Sequence, residues 1–430
     1  MGLGMDDGDL LAGLRRRLIA PTEKGFGGPA HRSPVTAEWL AAERPAATGG
    51  LLGSPRVLVR RDALDGNVAA MAAYCDAHGA VLYPHGKTTM APQLFARQLR
   101  AGAGGITAAT MPQARLYRRF GVRDVLLANE LVDEPGIAWL ARELDEDPEF
   151  SFACYVDSVA GVELLDAALG RHGFGGRLRV LVELGHAAGR SGCRGQAEAL
   201  TVADAAGRSR RLLLAGVAGY EGSIVAPTVE DTLAAARRYC EGLGELAAAL
   251  SAAGRFDEHP TVTAGGSAYF DAVVDALGGG DWRLVLRSGC YVLHDHGFYG
   301  RVSPFARGAA RAGALTLRPA LEVWAPVLSR PEPGTAVLGA GRRDLSFDTG
   351  DPVPLGVRAA DGTEAGAAGY GVERLFDQHV VVTVPPDAAI APGDEVRLGI
   401  SHPCTTMDKW RWLPVVDGED RIVDAVRTFF

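Results

Sequence analysis

The chain has 430 residues, 47% hydrophobic and 22% charged, an ordinary globular composition that is long enough for two packed domains. A net charge of −8 without any basic tract argues against nucleic acid or an anionic membrane as the main partner. No apolar run reaches the roughly 18 residues of a membrane span, and the first residues carry Asp6, Asp7, Asp9 and Arg15–Arg17 instead of a secretory leader. The expectation is a cytoplasmic protein whose six scattered cysteines are reduced thiols.

Residues 1–55 are rich in Gly, Pro and Ala, and are expected to form an N-terminal extension packed on a later β domain. From Arg56 a strand-then-helix alternation begins. Val57–Arg60 reads as a strand and Leu64–His78 as a helix. Val81–Tyr83 is a short strand leading to Lys87, and helical spacing over Ala91–Leu99 follows. Strand-like segments recur at Ile106–Thr110, Val125–Ala128, Phe152–Val156, Val180–Leu184, Leu213–Val217, Thr261–Thr263 and Leu284–Leu286. Counted from Leu82 these are eight short apolar strands separated by helices, as in a parallel sheet covered on its outer face. Their number and spacing predict a (β/α)8 barrel over residues 56–302. After about residue 302 long helical segments give way to strand-like Leu315–Leu317, Ala320–Trp324, Thr335–Leu338, Val380–Val384 and Glu395–Leu398, so residues 303–430 are expected to form a β-rich domain.

In such a barrel, functional groups sit at the C-terminal ends of the strands. Lys87 stands there in Tyr83-Pro84-His85-Gly86-Lys87-Thr88-Thr89-Met90. Lysine is seldom buried without a partner or a task, so Lys87 either points to solvent or offers an amine for an aldehyde cofactor. Gly265-Gly266-Ser267 ends another strand. It is either a tight turn or a loop whose N–H groups and hydroxyl could meet a phosphate. Arg190 in the Gly-rich segment 185–192 is either a surface arginine or a donor to a phenolate or carboxylate.

Near the C-terminus stands His402-Pro403-Cys404. If this segment is extended, residues i and i+2 face the same side, with Cα atoms about 6.6 Å apart. Zinc bonds of about 2.0 Å to His and 2.3 Å to Cys could close that gap and leave open positions for a substrate oxygen. The alternative is a capping His beside a buried Cys. Cys193 and Cys290 read as packing residues, and His294 and His296 as a loop with satisfied polar groups.

These motifs resemble those of the fold-type III pyridoxal-phosphate enzymes of the D-serine dehydratase / D-threonine aldolase group, nearest to the members called amino acid deaminases. The resemblance runs from about Pro55 to Val415. It rests on Pro84–Thr88, Leu126–Asn129, Gly219–Gly222, Leu286–Tyr291 and His402-Pro403-Cys404, in that order. It implies an alanine racemase-like barrel whose Lys87 forms the imine with pyridoxal 5'-phosphate. It implies that Gly265, Gly266 and Ser267 hold the phosphate with Tyr220 nearby, and that Arg190 approaches the cofactor's phenolic oxygen. His402 and Cys404 match the zinc pair of the dehydratases, where similar aldolases carry an aspartate in the second position. Tyr83 stands where the family motif begins with arginine, and Thr89-Met90 where it has His-Lys; both changes are expected to border the substrate.

The reaction so implied is removal of water from a D-3-hydroxy amino acid of the D-serine or D-threonine type, giving a 2-oxo acid and ammonia. One rival is aldolase-type cleavage of the same substrates to glycine and an aldehyde. Another is a cofactor-binding protein without turnover. A homodimer is implied, and the expected partner is a small D-amino acid, with no nucleic acid and no membrane.

Overall fold

The computed structural model describes residues 10–32, 34–308 and 316–430. After a first strand, β1 (Arg56–Arg60), eight strands alternate with helices. They are β2 (Val81–Leu82), β3 (Ile106–Ala108), β4 (Asp124–Glu130), β5 (Ser151–Val156), β6 (Leu178–Leu184), β7 (Leu212–Gly219), β8 (Thr261–Ala264) and β9 (Arg283–Leu286). They pair in parallel in the order β2-β9-β8-β7-β6-β5-β4-β3. The ring closes where Gly104 N donates to Leu82 O (2.9 Å) and Thr107 N to Pro84 O (3.0 Å). This is the expected (β/α)8 barrel, and each strand overlaps its predicted segment.

The pleat explains the runs of apolar residues. Val125 and Leu127 of β4 face the covering helices, whereas Leu126 between them packs inside the barrel with Tyr83, Tyr155, Leu181, Ala218 and Val285. Both faces are covered over most of their length, so the strands are largely apolar, with polar exceptions such as Arg179, Glu183 and Thr263.

The second sheet is antiparallel but for one parallel pair, and it contains β10 (Leu321–Glu332), β11 (Thr335–Leu338), β12 (Val353–Arg358), β13 (Glu364–Gly366), β14 (Gly371–Leu375), β15 (Val380–Thr383), β16 (Glu395–Gly399), β17 (Trp412–Val416) and β18 (Ile422–Arg427). Its main order is β13-β12-β16-β10-β1-β17-β18, with β11, β15 and β14 extending from β10. Of the strand expected at Leu315–Leu317, Leu315 lies outside the described residues and Leu317 belongs to no strand.

The segment expected to open the barrel unit, Val57–Arg60, hydrogen-bonds in this second sheet instead. It runs antiparallel to β10 and parallel to β17. Charge pairing at both ends holds it there: Arg56 with Glu395, and Arg60 with Glu322 (3.0 Å) and Asp420.

Residues 19–32 and 34–52 pack on a face of the same sheet. Thr36 caps the helix Ala37–Glu43 by accepting from Trp39 N (3.0 Å). That helix seats Leu40 with Ile19, Phe26 and Leu52 against Trp324, Trp412 and Ile422. Among the described residues no helix is long and apolar enough to cross a membrane.

Candidate active site

The C-terminal ends of the barrel strands and the second sheet together enclose a cavity of about 630 Å³, within the range of small-molecule sites. Lys87, Arg190, Tyr220, Gly265, Gly266, Ser267, His402 and Cys404 all line it. The structure thus brings together residues more than 300 positions apart in the chain.

Lys87 lies in a single helical turn, Gly86–Thr88, just beyond β2. The chain contains three lysines. Lys24 is bound to Asp344 (2.6 Å) and covers the Trp410 ring, and Lys409 is bound to Asp408 (3.0 Å). Lys87 makes no hydrogen bond or ion pair among the described residues. Of the three lysines it is the one that lines the cavity.

The glycine loop after β8 departs from expectation. Gly265 has φ +99°, which suits glycine, and a Cβ there would stand 2.8 Å from Leu286. However, Gly265 N and Gly266 N both donate to the carboxylate of Glu221, at 3.0 and 2.6 Å. Glu221 is fully buried. Each amide has one hydrogen, so the two donors assigned to a phosphate are already taken, and a second anion beside this carboxylate would be repelled. Ser267 and Tyr220 remain as cavity-lining groups at that corner. Gly266 is still sensitive to substitution, since a Cβ would lie 3.1 Å from the Tyr220 ring and 3.4 Å from Glu221. Overpacking of this kind costs about 1–3 kcal/mol. Gly266→Val is therefore expected to weaken cofactor binding roughly ten- to hundredfold with unchanged circular dichroism. Unaltered affinity in a cofactor titration would remove this loop from the site.

Arg190 is exposed at the cavity rim, its guanidinium 5.0 Å from the Tyr220 ring. Sequence reasoning passed over Arg287 in the wall. It is buried, and it donates to Thr263 Oγ1 and Gly219 O (both 2.6 Å). Beside it Tyr155 Oη is buried without a partner, as is His85 Nδ1 in the wall next to Lys87. Burial and the adjacent Lys87 hold the His85 ring well below the usual histidine range, so it is neutral. Orphaned polar atoms in a wall of this size are what a polar aromatic ligand would satisfy.

Two departures from the family motif prove remote. Tyr83 points into the barrel below the cavity and accepts from Arg283 Nη2 (3.0 Å). Met90 packs against Tyr117 Oη (3.6 Å). Neither lines the cavity, so the expectation that they border the substrate is corrected. Tyr83 stands on the inward phase of the strand, and Met90 turns away at φ +43°.

His402-Pro403-Cys404 is not extended. Pro403 is helical (φ −62°, ψ −43°), and a short helix runs over Cys404–Met407. The turn nevertheless aims both side chains at the cavity. Cys290, read from sequence as a packing residue, joins them: its Sγ is 3.4 Å from Cys404 Sγ. The ligand atoms of Cys290, His402 and Cys404 all lie within 4.8 Å of one another. Cys404 Sγ also lies 3.4 Å from Thr88 Oγ1, so the cluster sits one residue from Lys87.

The Cys290 hydrogen bond, with His402 adding to it, holds the Cys404 thiol well below its ordinary range despite burial. The same hydrogen bond and burial push Cys290 up. Burial opposes charge on His402, but Cys404 and Asp348 outweigh it and raise its pKa to about 9. Without a metal the ring of His402 is therefore protonated beside the Cys404 thiolate; a soft or borderline dication would displace that proton and find two sulfurs and a ring nitrogen at ligand spacing.

Asp348 Oδ2 is 2.7 Å from His402 Nδ1 and its other oxygen accepts from Thr405 (2.7 Å), which leaves Nε2 for the cluster. Asp348→Asn is expected to lower metal affinity about 10–100-fold, the usual effect of losing such an orienting carboxylate. Competition with a chromogenic chelator measures it.

A barrel with a free lysine at its mouth, closed over by a β domain, is the alanine racemase-like fold-type III architecture. In sequence and fold the chain is similar to the D-serine dehydratase / D-threonine aldolase group of that class. Residues 320–416 match the model of the putative serine dehydratase domain. The chain is 28% identical to a D-threonine aldolase from Arthrobacter sp. over 395 residues, 90% of this chain and 95% of that one. It is 30% identical to the D-threo-3-hydroxyaspartate dehydratase of Delftia sp. strain HT23 over 251 residues, 53% of this chain and 64% of that one. The solved structure of that dehydratase superposes with a TM-score of 0.69 at 26% identity, covering 88% of this chain and 98% of the other. A cysteine-to-alanine variant of it has been solved in a metal-free form.

Proposed function

We propose that the protein is a pyridoxal-phosphate- and metal-dependent lyase that removes water from a D-3-hydroxy amino acid, giving a 2-oxo acid and ammonia. The observation that carries this reading is the meeting of the chain's free lysine with the Cys290–His402–Cys404 cluster in one cavity. Lys87 would hold the cofactor's aldehyde carbon, Ser267 its phosphate, and Arg190 its phenolic oxygen. When bound, pyridoxal phosphate supplies a sink for the electron pair left at the substrate's α-carbon, and the metal supplies a Lewis acid.

Once its amine is free, Lys87 would take the α-proton from its own side of the cavity, which favours one configuration of substrate. His402 and Cys404 would hold a cation facing the β-hydroxyl, where it would supply the Lewis acid that eases loss of that group as water, the balancing proton being the one Lys87 takes from the α-carbon. The released enamine rearranges to an imine and hydrolyses to the 2-oxo acid and ammonia. Asp348 keeps His402 aimed throughout.

Cleavage between the α- and β-carbons is the second reading. It is favoured by the similarity to D-threonine aldolase along 90% of this chain. In that case the β-hydroxyl would give up its proton to a base instead of leaving, and glycine and an aldehyde would form. The test is a panel of D- and L-3-hydroxy amino acids with products identified by mass. A 2-oxo acid with equimolar ammonia supports dehydration, and glycine with an aldehyde overturns it.

A further inference from the structure

We infer that Cys290 is a third protein ligand of the metal, so that the site binds through one nitrogen and two sulfurs and keeps a single open position. This deepens the reading above and rests on its metal.

Cys290 follows β9, on the barrel side of the cavity, whereas His402 and Cys404 come from the β domain. All three ligand atoms fall within 4.8 Å of one another. Two sulfurs on a tetrahedral zinc, each at about 2.3 Å, stand about 3.8 Å apart. The observed Sγ–Sγ distance is 3.4 Å, so a small outward movement admits the ion. A disulfide would demand an approach to about 2.05 Å. Cys290 is buried, and its side chain faces Cys404, Thr88 (3.9 Å) and Tyr299 inside the cavity. The ring of His402 is already oriented by Asp348 with Nε2 free for the ion.

Three consequences follow from the chemistry. Two thiolates neutralise a dication, so the loaded cluster carries no net charge inside the cavity. Two soft sulfurs favour zinc over magnesium or manganese, which prefer oxygen ligands. Three protein ligands leave one tetrahedral position, so the substrate binds the metal through one oxygen, the β-hydroxyl, and not as a chelate with its carboxylate. The ion would also tie the barrel to the β domain.

The test uses the purified holoenzyme and does not depend on turnover. X-ray absorption at the zinc edge of the wild type is expected to fit two sulfur scatterers. In cobalt-exchanged protein, the near-ultraviolet sulfur-to-metal band per cobalt should fall by about half in Cys290→Ser and likewise in Cys404→Ser. Zinc affinity in Cys290→Ser should drop at least about 100-fold, and its preference over manganese should shrink. One sulfur in the wild type, or an unchanged cobalt band and zinc affinity in Cys290→Ser with loss in Cys404→Ser, overturns the role of Cys290 and leaves the two-ligand site standing. Wild-type protein that takes up neither zinc nor cobalt overturns both this inference and the metal part of the proposed function. The wild-type absorption measurement decides the matter even if the serine variant does not fold.

Discussion

Lys87→Ala is expected to abolish the visible absorption band of the bound cofactor and to stop turnover. The chain has three lysines, and the other two are held by Asp344 and Asp408 and do not line the cavity. No second amine can take over. Two functions are lost together, the covalent hold on the aldehyde and the base for the α-proton. A positioned base alone contributes roughly 10²–10⁴-fold, so the loss of rate should be at least of that order. Lys87→Arg should fail in the same way, because a guanidinium stays protonated and cannot form the imine. Ultraviolet–visible spectra of the purified variants, with ammonia release as the rate assay, provide the measurement. A band that survives in Lys87→Ala would show that the cofactor is held elsewhere and would sink the assignment.

Removing the metal is expected to separate cofactor loading from chemistry. His402→Ala, Cys404→Ala, or treatment of the wild type with a strong chelator should each leave the visible band in place, since Lys87 needs no metal to react with an aldehyde. Elimination should fall steeply. A metal at a leaving oxygen supplies several kcal/mol of charge stabilisation, and about 1.4 kcal/mol corresponds to each factor of ten. A loss of roughly 10²–10³-fold is therefore expected, with zinc restoring the chelated wild type but not His402→Ala. Metal content is measured in parallel. Full dehydratase activity in protein free of metal would leave only the pyridoxal chemistry standing.

The two predictions also expose how the site is divided. Lys87 was visible because it follows a short apolar strand and precedes Thr88-Thr89, a place where an unpaired amine is out of character. His402 and Cys404 were visible as ligand types two residues apart, although the geometry assumed for them was wrong. Pro403 makes a helical turn there, and the side chains converge by that turn and not by strand alternation. Cys290 was invisible as a ligand because nothing near it in sequence carries another ligand type, and an isolated buried cysteine reads as packing. Its partner lies 114 positions away. Asp348 and Glu221 were missed for the same reason, since each acts on a residue 44 or more positions distant.

Local pattern determined the eight barrel strands, because a strand covered on both faces is mostly apolar along its length and is set off by polar or glycine residues. It determined the lysine and the His-Pro-Cys pair as well, because their chemistry shows in the residue types. Only the tertiary structure decided that β1 leaves the barrel for the second sheet, that Tyr83 turns inward below the cavity, and that Glu221 occupies the glycine amides. It alone also placed Cys290 beside Cys404. Each of these depends on pairing between distant segments: backbone hydrogen bonds for β1, the side-chain phase of a closed ring for Tyr83, and a buried carboxylate seeking donors for Glu221. Such partners are set by which surfaces meet in the folded chain, and the local sequence carries no record of the residue on the other side.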